Sequence, residues 1–366
     1  MKILKGTLAV LVLLIGYLLL WPVKVDPVAW TPPAPPPPTQ GDRLRSVQRI
    51  GTALDGPEGI AFDAQGLLYA GTADGRLLRI DAQKGECQVL DSTGGRPLGL
   101  AVADDGGLFI ADARRGLLKL DAAGNLSVLA TSAEGVDFGF TDDVDVSRDG
   151  RVYFTDASSK FGYGKQLDDV IEHGRHGRLL RFNPAKNETE VLLQQLPFAN
   201  GVALGPDQQS LVVVEMSEYR LTRYWIAGEK AGQREVFADN LPGFADNLSF
   251  NGRDRYWVAI YGPRDATLDA LLPNAFARKI IARLPGFLRP KPRHEAHVMG
   301  FDLDGQLVAD WIYSGVDAYA PITSVEERDG WLYLGSLGAQ SLGRIKLEDA
   351  LSGQPKAPEP ALAIDC

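Results

Sequence analysis

The chain alternates short apolar runs with turns rich in Asp, Gly and Asn, and it does so in the same order six times. PEGIAFDAQGLLYAG, PLGLAVADDGGLFIAD, TDDVDVSRDGRVYFTD, ANGVALGPDQQSLVVVE, ADNLSFNGRDRYWVAI and ITSVEERDGWLYLGS each read as a strand, a turn and a second strand dense in β-branched and aromatic residues. A third strand follows most of them, as in GRLLRID, GLLKLD, GRLLRFN, LTRYWI and GRIKL. Antiparallel units that recur in this way are the blades of a β-propeller, and six units predict an all-β, six-bladed ring. The sixth unit lacks a fourth strand. SVQRIGTAL, residues 46–54, is expected to supply it and so to close the ring without an open edge.

The N-terminus carries an apolar run of another kind. Lys2 and Lys5 precede an uncharged stretch, residues 6–23, long enough to cross a hydrocarbon core of about 30 Å as a helix. No small-x-small site follows, which predicts an uncleaved signal-anchor with its N-terminus in the cytoplasm. The propeller is then expected on the non-cytoplasmic side, periplasmic or extracellular/lumenal. TPPAPPPPTQ, residues 31–40, reads as a polyproline II spacer that stands the folded part off the bilayer. The expected layout is an anchor over 1–24, a proline-rich linker over 25–43, the propeller over 44–350 and a tail over 351–366.

Composition changes this picture in two ways. A net charge of -9 supplies no basic footprint and argues against nucleic acid. The two cysteines, Cys87 and Cys366, would permit one bridge in an oxidising compartment, but the flexibility expected of a chain end counts against it and leaves the pairing open.

Aligning the six units places one residue of each at the start of its innermost strand: Glu58, Leu98, Asp142, Asn200, Asp246 and Thr323. Innermost strands surround the axis, so these side chains should converge on one mouth of the channel. Three buried carboxylates are costly without a compensating cation, and an all-oxygen set suits Ca²⁺ or another hard divalent cation. The competing reading is that each acid caps a turn in its own blade. Register also separates the two copies of FADN in VFADNLPGFADNLSF: Asp246 and Asn247 fall in the column, whereas Asp239 and Asn240 belong in a connecting Asx turn.

The ends of the second strands should lie at the same mouth, where Asp112, Asp156 and Glu215 are candidates for the general base or for supporting the ligands. Strand-end acids paired with arginines are the alternative. Two insertions, residues 158–176 and 264–295, leave from that face as well. They carry or flank His173, His176, His294 and His297, which could reach the mouth or lie in solvated loops. Within the second insertion, Leu268, Leu271, Leu272, Ala275, Lys279 and Ala282 follow helical steps. Residues 266–293 are therefore expected to form a helical lid, with Arg278, Lys279 and Arg283 facing an anionic bilayer or solvent.

The strings FGFTDDVDVSRDGRVYFTDASSKF, HGRLLRF, LPFANGVAL, YRLTRYWI, DNLPGFADN and YWVAIYGPR resemble the strictosidine synthase-like and adipocyte plasma membrane-associated protein family. That family is related to the gluconolactonase and paraoxonase-type propellers. The resemblance implies a six-bladed propeller in a membrane-anchored layout. It also implies an axial divalent cation held at positions matching Glu58, Asn200 and Asp246, with Asp142 and Asn247 as additions. Two positions depart from the relatives. The glutamate of the condensing synthases is matched by Thr323, so true strictosidine synthase (Pictet-Spengler) activity is not expected. The histidine of paraoxonase-type hydrolases is matched by Ala113, which leaves Asp112, Asp156, Glu215 and Asp246 as the catalytic candidates. The implied function is metal-dependent hydrolysis of a small-molecule ester or lactone. The alternative is a non-catalytic binding propeller with a structural cation.

Overall fold

The computed structural model describes residues 2–352, 359–364 and 366. Six four-stranded antiparallel sheets form a ring. Their innermost strands, in order, are Ile60–Phe62, Pro97–Val102, Thr141–Val146, Ala199–Leu204, Gly243–Phe250 and Ser324–Arg328. The strand Gln48–Ile50 pairs antiparallel with Leu342–Lys346 and becomes the outermost strand of blade six, so the first strand of the ring locks onto its last blade. This is the closure expected from the missing fourth strand.

The near-continuous apolar character of the second strands has a direct cause. Each blade is sandwiched between two neighbours, and strands such as Leu108–Asp112, Val152–Asp156 and Ser210–Glu215 are buried along their whole length. Outermost strands such as Glu86–Ser92 meet solvent and have no fully buried residue. Blades two and three pack through Phe109, Phe154 and Phe182, and blades five and six through Trp257, Trp311 and Val325. Each fully buried side chain of this size stabilises the fold by about 1.5–3 kcal/mol.

Both chain ends depart from expectation. The described part of the C-terminal tail, around Leu362 and Ile364, is fixed on the ring. Gly51 donates to the Leu362 carbonyl at 2.9 Å, Leu362 donates to Arg49 at 2.9 Å, and Ile364 is buried in the cluster between blades six and one. With its end held there, Cys366 reaches Cys87 and the two form a disulfide, with Cα atoms 5.1 Å apart.

The proline-rich linker is likewise no free spacer. Polyproline II backbone has no internal hydrogen bonds, so its carbonyls remain available to other donors. Arg264 donates to the Pro33 carbonyl at 3.0 Å and Asn240 to that of Ala34 at 2.9 Å. Upstream, Val28 donates to Glu172 at 2.8 Å, Trp30 donates to Leu272 at 3.3 Å, and Val25 is buried. The segment between the N-terminal helix, Lys2–Leu20, and blade six therefore runs across the propeller face as a strap.

Candidate metal centre

Four innermost strands carry a β-bulge at the same place. Their registers shift between Pro97 and Leu100, Thr141 and Val144, Ala199 and Val202, and Ala245 and Leu248. Leu98, Asp142, Asn200 and Asp246 all lie within those bulges. A bulge breaks simple alternation and re-aims side chains, which lets the adjacent Asp246 and Asn247 both face the channel. Close approach of neighbouring blades gathers the column further. A Cβ on Gly99 would stand 2.5 Å from the Asp143 Cα, and one on Gly201 would stand 2.6 Å from the Asn247 Cα, so only glycine fits at these contacts.

Glu58, Asp142, Asn200 and Asp246 line one cavity at this mouth, and none is more than 3% exposed. Asn247, 4% exposed, donates to Glu58 Oε1 at 3.3 Å, and the Asn200 side chain hydrogen-bonds to Asp246. Both carboxamides thus spend their NH₂ groups on column carboxylates, which turns their carbonyl oxygens elsewhere. Asn200 Oδ1, Asn247 Oδ1, Glu58 Oε2, Asp142 Oδ2 and Thr323 Oγ1 are buried with no hydrogen-bond partner. Unpaired buried oxygens are costly, and so many around one axis fit a hard cation as the missing partner. Among the described residues no three His, Cys, Asp or Glu side chains group as a metal cluster, so such a cation would need the two carboxamides.

Electrostatics agree with this geometry. Burial pushes the Glu58 carboxyl up to about 7, against the pull of the Arg96 guanidinium. Burial, then the charges of Glu58 and Asp246, raise Asp142 well above the ordinary carboxylate range; burial and Glu58 do the same to Asp246. Arg96, itself 1% exposed, donates to the Gly56 carbonyl at 2.8 Å and is the cation nearest in effect to the column. Sequence reading passed over it, although its place just before the innermost strand of blade two was visible.

The second column is arranged differently. Asp112 Oδ1 accepts the N–H groups of Arg96, Arg114 and Arg115 at 2.9–3.0 Å. Asp156 accepts from Gly139 and Phe140 and pairs with Arg178 at 2.6 Å. Glu215 pairs with Arg220 at 2.6 Å and accepts the Thr222 hydroxyl. These acids stand opposite Pro97, Thr141 and Ala199, one residue short of the column, yet none lines the cavity. Their bonded oxygens fasten strand ends and neighbouring loops, while Asp112 Oδ2 is buried without a partner but outside the cavity. No histidine lines the cavity either. His173 is buried against Trp30, with ring centroids 4.6 Å apart, and His297 pairs with Asp310 at 2.6 Å, so neither is a solvated loop histidine.

The cavity has a volume of about 300 Å³ and an apolar wall that includes Phe140, Tyr163, Phe198, Phe244, Tyr261 and Leu268. Burial, the Asp246 charge and Tyr163 together raise the Tyr261 phenol, keeping it a neutral O–H donor beside the column. Both insertions roof this mouth. The first forms the helix Gln166–Glu172, and the second forms Ala266–Leu271, Ala275–Arg283 and a 3₁₀ turn, Gly286–Leu288. Asp265 caps the second insertion's first helix by accepting from the Leu268 N–H at 2.8 Å, and Asn274 caps the next by accepting from Ala277 at 3.0 Å. The lid's charges lie elsewhere than expected. Arg278 is 1% exposed and donates to the Ile171 carbonyl at 2.8 Å, Lys279 pairs with Asp26 at 2.9 Å, and Arg283 is buried. Helix-facing direction depends on which neighbours cover the lid, and here the strap and the first insertion recruit those cations. The first FADN copy behaves as read: Asn240 sits at φ 56 in a turn with its N–H on Asp239.

A strictosidine synthase family model matches residues 142–229, and a strictosidine synthase-like N-terminal model matches residues 39–80. Protein strictosidine synthase-like 6 of Arabidopsis thaliana is 36% identical over 320 residues, covering 85% of each chain. The chain belongs to the strictosidine synthase-like family. Another relative in sequence is the adipocyte plasma membrane-associated protein of Rattus norvegicus, 32% identical over 376 residues and covering 92% of this chain and 96% of that one. Among solved structures, a gluconolactonase from Xanthomonas campestris superimposes with a TM-score of 0.60 at 19% identity, covering 88% and 98% of the two chains. A calcium-binding regucalcin from Agrobacterium tumefaciens gives 0.58 at 18%, covering 81% and 92%. These two establish the six-bladed fold that the strictosidine synthase-like chain shares with them.

Proposed function

We propose that this chain hydrolyses small-molecule esters or lactones with a divalent cation, most simply Ca²⁺, at the channel mouth. The observation that carries the proposal is the set of buried, unpartnered oxygens at the floor of an apolar cavity. Glu58, Asn200 and Asp246 would hold the cation, with Asp142 and Asn247 completing the set. When bound, such an ion polarises a carbonyl and stabilises the oxyanion that forms from it.

The remaining tasks fall to the wall. With no histidine at the cavity and Asp112, Asp156 and Glu215 engaged behind it, the proton acceptor is a column carboxylate. We assign Asp142, which would reach the cation through one carboxylate oxygen and take the proton on the other. Tyr261 donates to the departing or developing oxygen, and the aromatic wall favours apolar acyl or aryl groups over polyhydroxylated ones. A Pictet-Spengler condensation is not proposed, because Thr323 offers a hydroxyl where that reaction uses a carboxyl.

The N-terminal helix, apolar over Ile3–Leu20 with mean hydropathy 2.4, is a candidate membrane span, and it would hold the propeller on the non-cytoplasmic side. The disulfide fits that side, since such bonds persist in oxidising compartments. The test is an aryl-ester and lactone panel with and without chelator. Turnover that chelator abolishes and Ca²⁺ restores supports hydrolysis. A chain that binds the ion without turning over any substrate would instead be a binding propeller.

A further inference from the structure

The lid helix Ala275–Arg283 has two faces with different owners. Arg278 is turned to the propeller side, where it donates to the Ile171 carbonyl. Phe276, Ile280 and Arg283 follow steps of four and three residues and share the opposite stripe. Arg283 grips the end of the anchor helix, its Nε donating to the Trp21 carbonyl at 2.6 Å and its Nη1 to that of Leu18 at 2.9 Å. The Tyr17 hydroxyl returns a bond to the Arg283 carbonyl at 3.0 Å. An arginine here satisfies carbonyls that a helix C-terminus leaves open and complements its dipole.

These bonds fix the height of the lid. The apolar window ends at Leu20, so the clamp at Leu18 and Trp21 sits where a spanning helix leaves hydrocarbon for headgroups. On the helix that carries the clamp and in the turn just after it, Phe276 is 57% exposed, Phe287 76% and Leu288 57%, large apolar side chains mostly open to solvent. The chain continues into Lys291 and Arg293, exposed cations in a protein of net charge -9 that also line the cavity mouth.

We propose that Phe276, Phe287 and Leu288 are a bilayer-docking surface, inserted at the headgroup boundary of the same membrane that the N-terminal helix spans. The proposal rests on the membrane-anchor reading. Continuity with the anchor selects lipid as the occupant: whatever covers these side chains must also meet the end of an 18-residue apolar helix with none of its residues buried. Docked this way, Lys291 and Arg293 meet anionic headgroups, and the cavity opens at the lipid surface.

The experiment uses the full chain reconstituted in vesicles of neutral and anionic phospholipid. Spin labels are placed singly by Phe276→Cys, Phe287→Cys and, in the turn between the first two strands of blade one at the far end of the channel, Ala64→Cys. Collision with dissolved oxygen, which concentrates in lipid, is compared with collision with a water-soluble nickel chelate. The expected oxygen-to-chelate ratio is several-fold higher at 276 and 287 than at 64. Ratios at 276 and 287 equal to that at 64 would overturn the proposal while leaving the anchor in place. Labels shielded from both agents would also overturn it, showing protein rather than lipid on the patch. If the chain is not retained by vesicles, the anchor reading and the docking surface fail together. None of these outcomes bears on cation binding, which is measured separately.

Discussion

At the lid end of the channel, Glu58, Asp142, Asn200 and Asn247 each leave an oxygen without a partner. At the far end, Asp143 and Asp145 lie along the same strand as Asp142 and leave none. Asp143 accepts from Val144 at 2.9 Å and Val202 at 2.8 Å, and Asp145 from Val146 at 2.7 Å and Leu204 at 2.8 Å. Burial raises the pKa of acids at both ends, with Asp143 reaching about 8. A buried carboxylate is therefore no signature of a cation. At the far end the acids replace the backbone ladder that two innermost strands cannot form with each other, stitching blade three to blade four. Among the described residues, it is at the lid end of the channel that oxygens gather which the protein itself does not satisfy.

The comparison breaks most sharply under substitution. Asp246→Ala should abolish cation binding and lower kcat/KM on the order of 10³-fold, with the circular dichroism of the ring retained. The readouts are steady-state kinetics and metal content of the purified variant. Asp143→Ala, at the other end, should leave metal content unchanged but strand the Val144 and Val202 N–H groups, costing about 1–3 kcal/mol in a denaturant titration. A loss of metal in this variant would erase the distinction between the ends. Tyr261→Phe sharpens the account within the lid end: kcat should fall about ten-fold, near 1.4 kcal/mol, with cation affinity untouched.

The ring was legible because a propeller repeats its chemistry. Six apolar units announced six blades, and the absence of a fourth strand after GRIKL pointed to the strand that closes the ring. Repeat register also brought Glu58, Asp142, Asn200 and Asp246 to one cavity. What it could not convey was aim. Alternation says nothing of bulges, which place Asp246 and Asn247 on the same channel while Asp143, next to the unpartnered Asp142 Oδ2, accepts from Val202. Asp112, Asp156 and Glu215 shared the mouth by register, but arginines and backbone N–H groups from loops claimed them. The strap and the tail show the same limit. Prolines encode a local conformation, not the Arg264 and Asn240 side chains that bind its carbonyls, and a terminal cysteine looks free until Leu362 and Ile364 are seated.

The central claim is that the unsatisfied oxygens at the lid end are a cation site and the satisfied acids at the far end are not. Calorimetric titration of Ca²⁺ into the metal-stripped chain tests it most directly, with Asn200→Ala and Asp145→Ala measured in parallel. The account predicts one site per chain in the unaltered protein, the same site in Asp145→Ala and no measurable binding in Asn200→Ala. A chain that binds no Ca²⁺ or other divalent cation, or one whose binding survives Asn200→Ala and disappears with Asp145→Ala, would contradict it.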